Sequence, residues 1–119
     1  MQLARRLAQI AEQFGVREGF AVNALNADLS VRDPEARLWP QTERIKTLSR
    51  LASLAEDERL WSSVLEAIGA LRAYFLPASG LWLDRRLPGG VFVEEPSPAS
   101  SFYHIIEAVS TLEDVFAVR

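Results

Sequence analysis

Apolar residues recur at steps of three and four in four stretches of this chain, and each stretch predicts an amphipathic helix. The predicted helices cover residues 2–14, 40–55, 57–76 and 102 to the C-terminus. Pro40 suits a first helical position because it lacks a backbone N–H, and Pro77 marks the end of the third helix. The third helix is expected to point these side chains inward: Leu60, Trp61, Val64, Leu65, Ile68, Leu71 and Phe75.

Short runs typical of β-strands lie between the helices and are separated by glycine, asparagine and proline. Residues 19–22 and 29–31 are predicted to pair as one hairpin. Residues 81–83 and 91–93 flank the Pro-Gly-Gly turn at 88–90 and are predicted to pair as a second hairpin.

The predicted elements follow the order helix, hairpin, helix twice, with a period of roughly sixty residues. Gly19 and Gly80 open equivalent hairpins, and Trp39 and Phe102 begin equivalent helices. Repeated helical pairs build solenoids or closed rings, and about three or more repeats are needed before the end units are covered. The sequence therefore predicts a mainly α fold of two helix-hairpin-helix repeats with short β-hairpins. We expect it to be the C-terminal part of a larger helical toroid.

Composition narrows the class of protein. A chain of 119 residues with 49% hydrophobic content is long enough for one domain with a packed core. The net charge of -3 argues against a nucleic-acid partner. The chain has no cysteine and a single histidine, so we expect no metal site. It contains no apolar run of membrane-spanning length, so we expect no membrane partner and a cytoplasmic location.

The single histidine, His104, lies where a loop rich in proline and serine leads into the last predicted helix. Histidine is the side chain best suited to proton transfer near neutral pH. An earlier loop leads through Trp39 into the second helix and places Glu43 near its first turns. Moving a proton between adjacent carbons needs a positioned base and a partner acid. His104 is the candidate base, and Glu43 or Tyr103 is the candidate acid.

Three blocks of sequence resemble, in order and spacing, the C-terminal third of the N-acylglucosamine 2-epimerase superfamily. They are Arg37-Leu38-Trp39-Pro40-Gln41-Thr42-Glu43-Arg44, Gly80-Leu81-Trp82-Leu83-Asp84 and Pro98-Ala99-Ser100-Ser101-Phe102-Tyr103-His104-Ile105. The first block is most similar to the mannose and mannose 6-phosphate isomerase branch. The resemblance implies an (α/α)6 barrel whose helix-start loops form a sugar pocket at one end of the ring. It also implies sugar isomerisation or epimerisation by proton transfer next to a carbonyl, with no cofactor.

The resemblance also implies roles for individual residues. His104 matches the C-terminal one of two catalytic histidines that exchange acid and base roles, and Glu43 matches a pocket residue that orients the sugar ring and its hydroxyls. We therefore predict that His104 and Glu43 are catalytic. Trp39 matches a pocket residue and Trp82 lies on the pocket hairpin, so both are predicted to bind substrate. The second histidine of the family, an arginine and further carboxylates lie N-terminal to anything in this chain.

Each of these residues also has a purely structural interpretation. A histidine at a helix start is often a surface or capping group. A carboxylate such as Glu43 near a helix N-terminus complements the helix dipole and contributes up to about 1 kcal/mol. Trp39 and Trp82 are large aromatic residues of the kind that dominate burial in small domains.

Two classes of function follow from the sequence. The first is a carbohydrate aldose-ketose isomerase or 2-epimerase of the mannose or mannose 6-phosphate type, acting on a hexose or hexose phosphate. Residues 1–119 would then carry only the C-terminal part of the site. A missing N-terminal segment or a homo-oligomer would complete the ring, and the chain alone is expected to be incomplete. The alternative is a non-catalytic, truncated helical-repeat protein that self-associates or pairs with another chain. Sugar binding discriminates between the two.

Overall fold

The computed structural model describes residues 1–118 and forms four helices and six very short strands within them. The helices are α1 (Gln2–Gly15), α2 (Leu38–Ala55), α3 (Glu58–Arg72) and α4 (Ser100–Ala117). The strands are β1 (Val16–Arg17), β2 (Phe20–Ala21), β3 (Ala24–Leu25), β4 (Val31–Asp33), β5 (Ala36–Arg37) and β6 (Arg85–Arg86). The predicted order of helix, hairpin, helix is present in both halves. None of the helices within this range is both long and apolar enough to cross a membrane.

The helix boundaries differ from the predicted ones at two places. α2 begins at Leu38, so Pro40 is its third residue, where a backbone N–H still has no partner within the helix. α3 ends at Arg72 rather than at residue 76. The chain leaves the helix there because Tyr74 accepts a backbone hydrogen bond from Leu83, at 2.8 Å, and the residues that follow turn back towards the next loop.

The first predicted hairpin is wrong in its pairing. β1 pairs with β2 across a two-residue turn, and β3 pairs separately with β4, so residues 19–22 and 29–31 do not pair with each other. Glu18 and Gly19 form the first turn with φ of 54° and 86°. Two successive positive φ values are typical of the tight turns that match strand twist, and this turn closes a hairpin before the chain reaches residue 29.

The second predicted hairpin has its turn at the expected place but the wrong first arm. Leu87 donates a backbone hydrogen bond to Val91 at 2.7 Å around the turn, and Phe92 bridges Arg86. Residues 81–83 do not pair with 91–93, because Trp82 bridges Phe75 instead. β6 pairs with β5, which directly precedes α2, and this pairing ties the second repeat to the first.

The hydrophobic core lies where α2 packs against α3 and α4. Its buried members are Leu38, Ile45, Leu48, Val64, Ala67, Leu71, Tyr74 and Ala108. The Tyr74 hydroxyl donates to the Ala36 carbonyl at 2.7 Å, and burial raises the pKa of this phenol. The prediction that Leu65 points inward is wrong, since it is 68% exposed. Its neighbour Val64 occupies the inward direction, and the next residue along a helix is rotated by about 100°.

Arg44 of α2 is a buried cation that joins three other elements. Its guanidinium binds Glu12 of α1 at 2.7 and 2.8 Å and Glu66 of α3 at 2.6 Å, and it also donates to the Gly19 carbonyl at 2.9 Å. These contacts raise the pKa of Arg44 against the opposing effect of desolvation. Hydrogen bonds to charged partners are among the stronger ones in folded proteins. Arg44 therefore holds α1 against the rest of the chain.

We expect Arg44→Ala to lower the free energy of unfolding by about 2 kcal/mol, because four charge-assisted hydrogen bonds are lost together. Arg50 is an exposed arginine on the same helix and provides the matched control. Arg50→Ala should change stability by less than about 0.5 kcal/mol. Urea unfolding followed by circular dichroism measures both variants. Equal effects of the two substitutions would show that the Arg44 network does not stabilise the fold.

Two helix faces remain apolar and uncovered in the described part of the chain. On α1, Leu3 and Leu7 are exposed. On α4, the exposed apolar residues are Phe102, Ile106, Val109 and Phe116. Isolated exposed apolar residues are common, but rows of them along helices mark surfaces that pack against something else. The two apolar faces therefore lie on α1 and α4, on either side of the α2–α3 pair in the sequence.

Candidate functional site

His104 lies in the second turn of α4, which begins at Ser100. Its Nδ1 atom is 3.5 Å from Oε1 of Glu43 on α2. That separation is longer than the hydrogen-bond distances usual in proteins. Nδ1 is buried and has no hydrogen-bond partner among the described residues. The side chain as a whole keeps 30% of its surface exposed. The imidazole is therefore held by its Nδ1 side against α2 and remains open to solvent elsewhere.

Glu43 lies in the second turn of α2 and contacts two basic side chains. Its Oε1 atom accepts from Lys46 at 2.8 Å, one turn further along the helix, and faces His104 on the other side. The carboxylate is 42% exposed. Glu43 can therefore orient the imidazole and still reach a molecule outside the protein.

Trp39 completes this group of side chains. Its ring centre is 6.1 Å from that of His104, with a tilt of 36° between the planes. Tyr103, the alternative acid suggested by the sequence, meets His104 edge to face at 5.8 Å and is largely exposed. Trp39 is also exposed, although large apolar side chains are usually buried. An exposed aromatic ring beside an imidazole and a carboxylate is a surface suited to the apolar face of a sugar ring.

The structure thus brings together three of the four predicted site residues: His104, Glu43 and Trp39. They meet because α2 and α4 pack side by side with their N-terminal ends close together. This arrangement places side chains from two helix starts at one end of the fold, as the sequence predicted. We refer to His104, Glu43 and Trp39 as the helix-start cluster.

Trp82 lies apart from the helix-start cluster. Its ring stacks on Phe102 at 6.0 Å and packs at a tilt against Phe75 at 6.2 Å. Its carbonyl accepts from Ser97 at 2.7 Å, and its indole N–H has no partner among residues 1–118. Trp82 supports the start of α4, and its contact with substrate stays a prediction.

A cavity of about 310 Å³ adjoins the cluster on the side away from His104. Trp39 and Glu43 contribute to its wall, and most of the remaining wall is apolar and comes from α1 and the first hairpins. His104 does not line this cavity, so a sugar placed against the imidazole would lie on the other face of the cluster.

The cluster contains the groups needed for one half of a proton transfer. An imidazole with one nitrogen facing a carboxylate is the arrangement in which the other nitrogen exchanges protons with a substrate. Glu43 lies close enough to hold the ring in position or to share a hydrogen bond with a sugar hydroxyl. An electrophile that would stabilise a developing enediolate oxygen is not part of the cluster as described.

The sequence model of the family described as N-acylglucosamine 2-epimerase (GlcNAc 2-epimerase) matches residues 1–108. The chain is 48% identical, over 117 aligned residues, to the mannose-6-phosphate isomerase of Rhizobium meliloti (strain 1021). That alignment covers 93% of this chain and 30% of the relative.

Among solved structures, the fold is similar to that of cellobiose 2-epimerase from Spirochaeta thermophila DSM 6192. The TM-score is 0.71 at 17% sequence identity, covering 97% of this chain and 29% of that protein. The predicted fold, a mainly helical part of an (α/α)6 toroid, is confirmed by this match. The chain spans about 30% of the length of the relatives that it matches.

Proposed function

Because this chain belongs to the N-acylglucosamine 2-epimerase family, we propose that residues 1–119 form the C-terminal segment of an (α/α)6 barrel that isomerises or epimerises a sugar. The observation that carries the proposal is the contact between His104 and Glu43, with Trp39 beside them, at the end of the fold where two helices begin. The rest of the ring supplies the remaining acid, base and cationic groups. We place this activity in the cytoplasm.

In the proposed reaction, His104 exchanges a proton with the sugar carbon next to the carbonyl. Removal of the proton from C2 of an aldose gives an enediolate, and delivery to C1 of a proton that has exchanged with solvent gives the ketose, with a second proton moving between the two oxygens. Return of the proton to the opposite face of C2 gives the epimer instead. Glu43 orients the imidazole through Nδ1 or binds a hydroxyl. Trp39 provides an apolar platform for the ring of the sugar.

Mannose or mannose 6-phosphate is the substrate that we propose. The relative with 48% identity is named as a mannose-6-phosphate isomerase, and high identity within one family favours a shared substrate class. The arginines of β5 and β6 bear on the choice between the two sugars. Arg37, Arg85 and Arg86 are already paired with carboxylates, so a phosphate would have to displace those partners or bind the remainder of the ring.

A chimera tests the proposed function in a complete ring. In it, this chain replaces the matched segment of the Rhizobium meliloti isomerase. We expect the purified chimera to convert D-mannose to D-fructose, or D-mannose 6-phosphate to D-fructose 6-phosphate. An enzymatic assay for each product measures the rate. Each sugar is assayed separately, so the faster conversion shows whether mannose or mannose 6-phosphate is the preferred substrate. A folded chimera that converts neither sugar, beside an active parent isomerase, would contradict the proposal.

The uncovered faces of α1 and α4 favour a second candidate, a non-catalytic protein that associates with itself or with another chain. Burying such faces is the ordinary driving force of association. This candidate predicts an oligomer with no affinity for hexose. Sedimentation measures the oligomer, and titration with D-mannose, followed through the signals of the single histidine, measures sugar binding.

A further inference from the structure

Asp84 is the most deeply buried carboxylate in the described part of the chain, at 2% exposure, and it lies on the loop between α3 and α4. Its Oδ2 atom accepts from Nε and Nη2 of Arg37 at 2.9 and 2.8 Å. Its Oδ1 atom accepts from the Ser101 hydroxyl at 3.1 Å. Its backbone carbonyl accepts from the Leu38 N–H at 2.8 Å. One residue thus binds the first residues of both α2 and α4.

The two ends of this bridge are close in sequence to the helix-start cluster. Arg37 immediately precedes α2 and lies two residues before Trp39. Ser101 lies three residues before His104, so the two side chains are neighbours on one face of α4. Ser101 is 3% exposed. Water therefore cannot replace Asp84 as the acceptor of the Ser101 hydroxyl unless the packing around α4 opens. Any displacement of Asp84 therefore shifts one helix start relative to the other.

We infer that Asp84 is a positioning residue, which sets the start of α2 against the start of α4 so that Glu43 and Trp39 meet His104. This inference rests on the proposed function for its catalytic meaning, while the geometry that it describes exists without a substrate. Placement of groups within fractions of an ångström governs proton transfer, and a misplacement of about 1 Å costs up to about 100-fold in rate. The bridge supplies such placement from a residue that touches no substrate.

The test uses the full chain and its single histidine, which gives one set of imidazole ¹⁵N signals. Glu43→Gln should shift these signals because the carboxylate lies 3.5 Å from Nδ1. In the Asp84→Asn and Ser101→Ala backgrounds, we expect Glu43→Gln to shift the signals by about half as much or less. The coupling between Glu43 and His104 is lost when their separation grows. Ser101→Thr keeps a hydroxyl and should restore the parent response.

Ser49→Ala is the matched control, because Ser49 is a buried serine of α2 whose hydroxyl donates only to the Lys46 carbonyl, at 3.2 Å. In the Ser49→Ala background, Glu43→Gln should shift the imidazole ¹⁵N signals by as much as it does in the parent chain. If Asp84→Asn does not fold, as judged by circular dichroism, Ser101→Ala alone decides the matter. A full response in a folded Ser101→Ala protein, or no response to Glu43→Gln in the parent, would overturn the inference.

The chimera gives a second readout that separates this inference from the proposed function. There, Ser101→Ala should lower kcat about tenfold and leave KM nearly unchanged, because the hydroxyl acts on placement rather than on sugar binding. An inactive parent chimera would contradict the proposed function, while the ¹⁵N result would still decide whether Asp84 positions the cluster. An unchanged kcat in an active chimera would show that the bridge has no catalytic consequence.

Discussion

Replacing His104 by asparagine should lower the turnover of mannose by the active chimera about 10³-fold, within the range of rate enhancement that a general acid or base supplies. Asparagine keeps a polar side chain of similar reach but cannot exchange a proton near neutral pH. The substituted position is partly exposed in the second turn of α4, so the fold should persist. Initial rates measured with fructose detection, together with melting curves, record both effects.

Ser110 provides the control for this substitution. It is an exposed polar residue further along α4, on a turn beyond the helix-start cluster. Ser110→Ala should retain full turnover, and both variants should unfold within about 1 kcal/mol of the parent. A His104→Asn chimera with at least one tenth of the parental rate would remove His104 from the catalytic step.

The second large effect concerns the chain by itself. We expect the 119-residue chain to convert no mannose above the buffer rate, because it spans about 30% of the relatives that it matches and presents one part of a proton-transfer site. In the proposed reaction, the electrophile that stabilises the enediolate would be supplied by helices outside this chain. A sensitive fructose assay at high protein concentration measures this, with the chimera as the positive control.

Addition of the remaining part of the Rhizobium meliloti isomerase as a separate polypeptide should restore turnover to the isolated chain. The apolar faces of α1 and α4 would then be covered by helices of the added part, which provides the free energy of association. Leu7→Glu on α1 should weaken this restoration, since it places a charge on the surface to be buried. Turnover by the chain alone would show instead that the site is complete without further helices.

The helical framework could be predicted from sequence because each helix has its own periodic apolar pattern. α1 agrees with its predicted range to within one residue, and Ile45, Leu48 and Leu51 are buried on α2 as expected. The end of α3 and the exposure of Leu65 could not be predicted, because they depend on bonds and packing made by other elements. The local apolar pattern predicts the type of an element more reliably than the residues at which the element begins and ends.

The strand pairing was harder to predict because it depends on turns and on distant partners. The turn at Glu18 and Gly19 takes φ values that only glycine adopts at no cost, so a glutamate there gives little signal. The pairing of β5 with β6 joins residues that lie far apart in the sequence. Neither feature is visible as alternation of polar and apolar residues.

The sequence located the helix-start cluster more completely than it located the residues that support it. His104, Glu43 and Trp39 follow loops that lead into helices, and the resemblance to one family assigned their roles. Asp84 was part of a matching block, but its partners Arg37 and Ser101 lie 47 and 17 residues away. In the sequence, Asp84 is one aspartate between Leu83 and two arginines, a pattern equally typical of a solvated hairpin tip, and it does not identify the partners.

In the proposed reaction, His104 passes a proton between the solvent and the carbon next to the sugar carbonyl. Conversion of D-mannose by the chimera in D₂O tests this role, with deuterium at C1 of the fructose and at C2 of the recovered mannose measured by NMR. We expect solvent deuterium at these carbons with the parent chimera and none above background with His104→Asn. Conversion without any deuterium incorporation, or incorporation that persists in the His104→Asn chimera, would contradict it.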